Sequence, residues 1–189
     1  MAGRVEGARV SERDKMLLGE LYDAGDSDLV AARVRARRLT QRFNSLDPAA
    51  TDACDLVLRD LLGGVGIGAW IEAPFFCDYG ANVYLGERVY LNMGCVFLDA
   101  AAITIGDDVQ LGPCVQLLTS DHPRDSARRA GGLELARPIS IGARAWLGGG
   151  VIVLPGVEIG HDTIIGAGSV VTRSVESGVV AAGNPCRVI

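Results

Sequence analysis

The residue best suited to acid–base work is His122. It lies in Thr119-Ser120-Asp121-His122-Pro123, and the chain has only one other histidine, His161. An imidazole titrates near neutral pH and can take a proton from a hydroxyl. Pro123 stiffens the stretch and biases His122 toward extended backbone. The plain alternative is a surface histidine with no task. His161 follows Gly160 at a turn and reads as solvent-facing. Two separated histidines do not make a three-histidine zinc site, so no metal is expected. The five cysteines (Cys54, Cys77, Cys95, Cys114 and Cys186) are odd in number and show no C-x-x-C spacing. They read as reduced thiols of a cytoplasmic protein rather than a disulfide framework or zinc knuckle. No phosphate-binding P-loop and no G-x-S-x-G nucleophile elbow occurs. The Gly63–Gly68 glycines lack the strand-before and helix-after setting of a dinucleotide fingerprint.

Charge narrows the partners. The net charge is −5, which argues against a nucleic-acid binder needing a basic face. Arg33, Arg35, Arg37, Arg38 and Arg42 form a local basic run. It reads first as the solvated side of a helix, with an anion contact as the minority alternative. No apolar stretch is long enough to span a membrane, and no signal peptide is visible.

The elements that would hold these residues fall into two textures. Residues 1 to about 12 are small and polar and read as loose. A first helix is expected from Ser11, with Met16, Leu17, Leu18, Leu21 and Tyr22 near helical spacing until Gly25. A second is expected over Ser27 to about Phe43. Asp47-Pro48 marks a turn, and a third helix runs from Ala49 to Leu62 before Gly63-Gly64. Residues 1–64 therefore read as a helical segment.

From residue 65 to 189 a period of six takes over. Ile141, Leu147, Val153, Ile159, Ile165 and Val171 lie six apart. Leu85, Leu91 and Phe97 keep the period upstream, and Ile105, Leu111 and Leu117 resume it after a two-residue shift. Neither a helix nor a simple strand repeats every six residues. A triangular coil does, with one aliphatic per side pointing inward and a small residue such as Gly142 or Gly148 after it at the corner. Stacked coils bury what one coil cannot. Aromatics are few, as expected if the interior has no room for them. The fold expected is mainly β, a left-handed parallel β-helix. One long interruption, residues 119–138, reads as a loop thrown out of the coil, and it carries His122.

These segments resemble the maltose/galactoside O-acetyltransferases, sugar acetyltransferases of the hexapeptide-repeat superfamily. KMLLGELYDAGDSDLVAARVRARRLTQRFN is similar to that family's N-terminal helical segment, and PFFCDYGANVYLGERVYLN to its acceptor-site stretch. TSDHPRD resembles its catalytic loop. PISIGARAWLGGGVIVLPGVEIG and IIGAGSVVTRSV resemble its coenzyme-binding coils, and AAGNPCRVI its closing segment. The likeness runs from Lys15 to Ile189.

The resemblance implies a homotrimer with active sites between coils, acetyl-CoA as donor and a sugar hydroxyl as acceptor. It implies His122 as general base in a direct transfer, with the Gly149 N–H as oxyanion donor. Asp78, Tyr90, Asn92, Asp99 and Glu134 fall at acceptor positions. The competing reading of Asp78 and Asn92 is as corner residues, since Asp and Asn tolerate left-handed backbone. Trp146, Gly149, Ala167, Thr172, Arg173 and Arg187 fall at coenzyme positions, the two arginines toward phosphates and Trp146 toward the pantetheine arm. Arg173 stands where Lys is more usual, and Asp121 where Gly or Thr is frequent. That carboxylate is expected to raise the pKa of the neighbouring base. Many relatives continue past the position of Ile189 with basic residues, so one phosphate contact is expected to be missing. Two rival functions stand beside the sugar acetyltransferase. One is an acetyltransferase for another small hydroxyl or amine, such as a serine, an amino sugar or an antibiotic. The other is a silent hexapeptide coil serving as an interaction protein. The second rival needs neither His122 nor Trp146.

Overall fold

The computed structural model describes residues 10–189. Most of the polar stretch expected to be loose, residues 1–9, lies outside the described residues. Three helices come first, α1 (Glu12–Leu18), α2 (Ser27–Asn44) and α3 (Thr51–Leu61). Ser11 caps α1 with a reciprocal capping box to Asp14, which satisfies two N-terminal donors. This helix ends earlier than its apolar spacing suggests. Gly19 adopts φ 73° and closes it by donating to Lys15 and Met16 carbonyls. Leu21 and Tyr22 therefore leave helical register, and Tyr22–Asp23 forms a short strand instead.

From Gly64 the chain winds as a three-sided parallel β-solenoid of about six turns. The first face stacks Gly64–Val65, Val83–Leu85, Ile103–Ile105, Ile139–Ile141 and Glu158–Ile159. The second stacks Trp70–Ile71, Tyr90–Leu91, Gln110–Leu111, Trp146–Leu147, Ile164–Ile165 and Val180–Ala182, closed by an antiparallel Arg187–Val188. The third stacks Phe76–Cys77, Val96–Leu98, Gln116–Leu118, Ile152–Val153 and Val170–Val171. The six-residue ladder supplies the buried residue on each face.

Each side buries two residues rather than one. Ala145, Val151, Val157, Thr163 and Ser169, two places before the ladder residues, are buried as well. A second ladder of smaller side chains thus fills the corners while the larger aliphatics fill the centre. Thr163 and Ser169 are admitted because their hydroxyls donate to Glu176 and Gly166 carbonyls. The glycine after many ladder positions of the first and second faces has a direct cause. A Cβ at Gly142 would sit 2.4 Å from the His161 nitrogen, and one at Gly148 2.6 Å from that of Ala167.

The interior also holds aromatics, contrary to expectation. Phe75 and Phe97 are fully buried at the helix-capped end, edge to face with centroids 5.2 Å apart. The compact Cys77 pairs with Phe97 on the third face and leaves it room. Phe43, Val57, Leu58 and Leu61 of α2 and α3 join the same core. The helices thereby cover the open end of the solenoid.

Every departure from the six-residue spacing near this end falls at one edge, between the third and first faces. Asp78–Asn82 and Asp99–Ala102 widen it in successive turns, and the interruption after Leu118 emerges there too. That interruption is an ordered hairpin rather than a free loop. Ser120–Asp121 pairs antiparallel with Leu133–Ala136, and a short helix α4 (Ser126–Ala130) fills the bend. Tyr22–Asp23 adds a third strand on the other side of Leu133–Glu134.

Candidate active site

A polar cavity of about 200 Å³ opens at this widened edge, lined by Tyr22, Arg33, Arg37, Asp78, Tyr79, Ser120 and Glu134 among others. The hairpin contributes Ser120 and Glu134, the turn after the third face contributes Asp78 and Tyr79, and α2 contributes the arginines. Tyr22 Oη donates to Glu134 Oε2 at 2.8 Å. Arg33 donates to Tyr79 Oη at 2.6 Å and to the Ala24 carbonyl at 2.6 Å, with its guanidinium 5.6 Å from the Tyr79 ring centroid. Burial holds the Asp78 carboxyl above its ordinary range, with Arg33 and Arg37 offsetting only part of that rise.

His122 follows the first hairpin strand, two residues beyond Ser120. Its side chain is exposed, and its ring makes no hydrogen bond among the described residues. Asp121 does not address that ring. Its carboxylate accepts from the His122 backbone N–H at 2.8 Å and pairs with Arg124 and Arg137 at 3.2 and 3.3 Å. Asp121 therefore fixes the backbone that carries the imidazole.

The other expected acceptor residues divide. Asp99 is fully buried, and its carboxylate accepts from the backbone N–H groups of Asp78, Tyr79 and Asn82. Its oxygens organise the turn that presents Asp78 and do not reach the cavity surface. Tyr90 and Asn92 lie on the second face and its edge with the third. Tyr90 Oη stands 3.5 Å from Glu72, and Asn92 Oδ1 accepts from the Met93 N–H. In one chain the third face separates this pair from Asp78, Glu134 and His122.

The expected coenzyme residues also follow the edges. Trp146 points outward from the second face and is 52% exposed, so its indole is available to an apolar ligand. Gly149 and Ala167 occupy equivalent places in successive turns of the edge between the second and third faces. Among the described residues the Gly149 N–H has no acceptor, while those of Gly148 and Gly150 bond to Ile165 and Pro113. The same holds at the equivalent Ala167, so availability is a property of the coil and not of Gly149 alone. Thr172 and Arg173 sit at the third–first edge, and Arg187 on the closing strand of the second face. Among the described residues neither arginine has a carboxylate partner. No cluster of His, Cys, Asp and Glu able to hold a metal occurs among the described residues.

The maltose acetyltransferase hexapeptide capping motif matches residues 15–66, and the bacterial transferase hexapeptide (six repeats) matches residues 138–173. Nodulation protein L of Rhizobium leguminosarum bv. viciae is 49% identical over 94% of this chain and 94% of its own. A maltose O-acetyltransferase from Clostridium difficile superposes with TM-score 0.93 at 45% identity, covering 95% of this chain and 96% of that one. A galactoside acetyltransferase in complex with coenzyme A gives TM-score 0.92 at 35% identity, covering 96% and 90%. The chain belongs to the maltose/galactoside O-acetyltransferase family. It is an acetyltransferase of the hexapeptide type.

Several residues around this acetyltransferase's cavity do not read as site residues in the sequence. In the sequence Arg33 and Arg37 read first as a solvated helix face, with an anion contact as the minority alternative. Arg35 fits that reading, paired with Asp60 on the surface, but Arg33 is turned inward onto Tyr79. A signal is present: Arg33 lies four residues after Leu29 and three before Ala36, both buried, so it shares their face of α2. Tyr22 was read as helical, and its place in the hairpin sheet depends on Gly19 ending α1.

Proposed function

We propose that the protein transfers the acetyl group of acetyl-CoA directly to a hydroxyl of a sugar, with His122 as general base. The observation that carries this reading is a small cavity rich in carboxylate, phenol and guanidinium groups whose Ser120 wall lies two residues before an unpartnered imidazole. A hydroxyl-covered ring needs such mixed donors and acceptors, whereas an apolar acceptor would leave them unpaired. Asp78 and Glu134 accept from the hydroxyls that are not acetylated, and Tyr22 holds Glu134 for that task.

His122 takes the proton of the attacking hydroxyl, which is too weak a nucleophile without a base at neutral pH. The Gly149 N–H receives the negative charge that develops on the thioester oxygen. His122 then returns the proton to the departing thiolate. Trp146 packs on the pantetheine arm, Ala167 and Thr172 line its course, and Arg173 and Arg187 meet the phosphates. Tyr90, Asn92, Trp146 and Gly149 come from a neighbouring copy in a homotrimer. The third face supports this, since its outward residues include Phe76, 47% exposed, with Val96, Ile152 and Val170 in the same strip. The two edges that carry the half-sites flank that strip.

The test is thiol release from acetyl-CoA with a panel of sugars, amino sugars and small alcohols. His122→Ala is expected to lower kcat by about 10²–10⁴-fold on the best acceptor. Equal activity of that variant rules out the base, and reaction with amines alone points to the rival amine acceptor. A monomer in sedimentation removes the intersubunit site.

A further inference from the structure

The edge between the second and third faces carries the proposed oxyanion donor, and its side chains change size abruptly beside it. Successive turns present Met93-Gly94, Pro113-Cys114, Gly149-Gly150 and Ala167-Gly168 at this corner. The turns are tied together there, since the N–H groups of Cys114, Gly150 and Gly168 donate to the Met93, Pro113 and Gly149 carbonyls at 2.9, 2.8 and 2.9 Å. The second residue of each pair is left-handed, with φ of 78°, 59°, 69° and 71° in turn. Such backbone favours glycine, and Cys114, which is exposed, is the exception. A Cβ built on Gly150 or Gly168 would meet nothing within 4 Å. The two later turns therefore form an open shelf. One turn earlier the shelf ends. A Cβ on Gly149 would lie 3.2 Å from the Pro113 ring, and one on Gly94 would lie 3.0 Å from the Cys114 sulfur. Ring and thiol stand as a step between Gly149 and the turn of Asn92.

The shape of a thioester gives this step a task. Its carbonyl carbon is trigonal, so sulfur, oxygen and the acyl carbon diverge in one plane. The proposed path puts the oxygen on the Gly149 N–H and the sulfur toward the later turns, where Ala167 and Arg187 lie. The acyl carbon is then directed back to the preceding turn, which is Pro113-Cys114. Successive turns are about 4.8 Å apart, and carbon atoms in contact need about 3.5–4 Å. A methyl group fits against the step. A longer chain runs into a proline ring and a thiol that sit directly on the main chain of a tight corner and have little freedom to give way.

We infer that the Cys114 thiol, backed by the Pro113 ring, is the acyl stop of this acetyltransferase and restricts the donor to acetyl-CoA over propionyl-CoA and longer acyl-CoAs. This rests on the coenzyme path proposed above and adds which acyl group that path accepts. The stop acts by steric exclusion at the tail of the acyl group, so it discriminates between donors without taking part in proton transfer.

The test measures thiol release from acetyl-, propionyl- and butyryl-CoA with the best acceptor of the panel, for the parent, Cys114→Gly and Trp146→Ala. The parent is expected to favour acetyl over propionyl by about 10–100-fold in kcat/KM, the range for one added methylene in a closed pocket. Cys114→Gly suits the left-handed corner and is expected to lower that preference by about tenfold. A parent that uses propionyl-CoA as well as acetyl-CoA, or a preference unchanged in Cys114→Gly, overturns the stop. The coenzyme path still stands in that case if Trp146→Ala raises the KM for acetyl-CoA, and an unchanged KM overturns both. A second measurement needs no acceptor. Saturating acetyl-CoA is expected to slow maleimide labelling of Cys114 several-fold and to leave that of Cys54 unchanged, as mapped by mass spectrometry. Labelling of Cys114 at the same rate with and without acetyl-CoA overturns the stop.

Discussion

Asp99 falls at an acceptor position by the family resemblance, while its hydrogen bonds tie it to the fold. Three backbone N–H groups of the 78–82 turn point at its carboxylate. Replacement by Ala leaves the Tyr79 and Asn82 N–H groups unpaired, while that of Asp78 keeps the Phe97 carbonyl, so a stability loss of about 2–4 kcal/mol is expected in denaturant titration. Acetyl transfer should fall as well, because the same turn presents Asp78. Tyr22→Phe is a milder change at the same cavity. It removes the bond to Glu134 at 2.8 Å while keeping the buried ring. A rise of several-fold in acceptor KM with little change in kcat is expected, at a cost of about 1 kcal/mol. The cysteines sort by burial. Cys77 is pushed up to about 12 and Cys95 to about 11, in both cases chiefly by desolvation of the thiolate. Neither should react with a maleimide at pH 8 until the protein is unfolded, which mass mapping of labelled sites checks.

At the scale of the element, the turns of the solenoid are set by close backbone approach. A Cβ at Gly142 meets the next turn at 2.4 Å, where the neighbour is main chain and cannot give way. Gly142→Ala is expected to destabilise by more than about 2 kcal/mol. Gly132, at φ 80° with nothing near, should cost only about 1 kcal/mol through its left-handed backbone. The edge between the first and second faces carries a different device. Arg88, Asp108, Arg144 and Asp162 stack there with φ from 53° to 60°. Arg88 grips Asp108 at 2.7 and 2.9 Å, and Arg144 grips Asp162 at 2.6 and 2.7 Å. Both carboxyls are held below their usual range, first by the arginine hydrogen bonds. A depressed acid in the folded state adds stability that is full above its unfolded value, near 4, and is lost as pH falls through the lower folded value. The melting temperature should therefore drop slightly below pH 4. The drop should shrink in Asp108→Asn/Asp162→Asn and at high salt, since these pairs are exposed.

For the whole molecule, one core runs from α2 and α3 through every turn of the solenoid. A separate cluster of Met16, Tyr22, Leu29, Tyr79, Ala100, Ala101 and Ala136 ties the N-terminal segment to the widened edge. Deleting residues 10–26 with what precedes them should thus leave the solenoid cooperative and lower the melting temperature by several degrees. Turnover should fall by a much larger factor, because the hairpin bearing His122 loses its Tyr22–Asp23 strand. Circular dichroism melts beside thiol-release rates separate the two effects.

The six-residue ladder made the fold legible in the sequence, since a three-sided coil is the arrangement that buries Ile141, Leu147 and Val153 together, while the second, narrower inward position on each side emerged only in the structure. The glycines after Ile141, Leu147, Ile159 and Ile165 were equally visible as part of the period, and the two-residue shift after Phe97 and the long break around His122 as faults in it. Local periodicity says nothing about what meets across an edge. That Tyr22 pairs with Glu134, that Arg33 turns onto Tyr79, that Asp99 faces inward, and that Trp70 stacks one turn from Tyr90 all join residues far apart in the chain. Those encounters depend on where Gly19 ends a helix and how turns register on one another, and only the tertiary structure decides them.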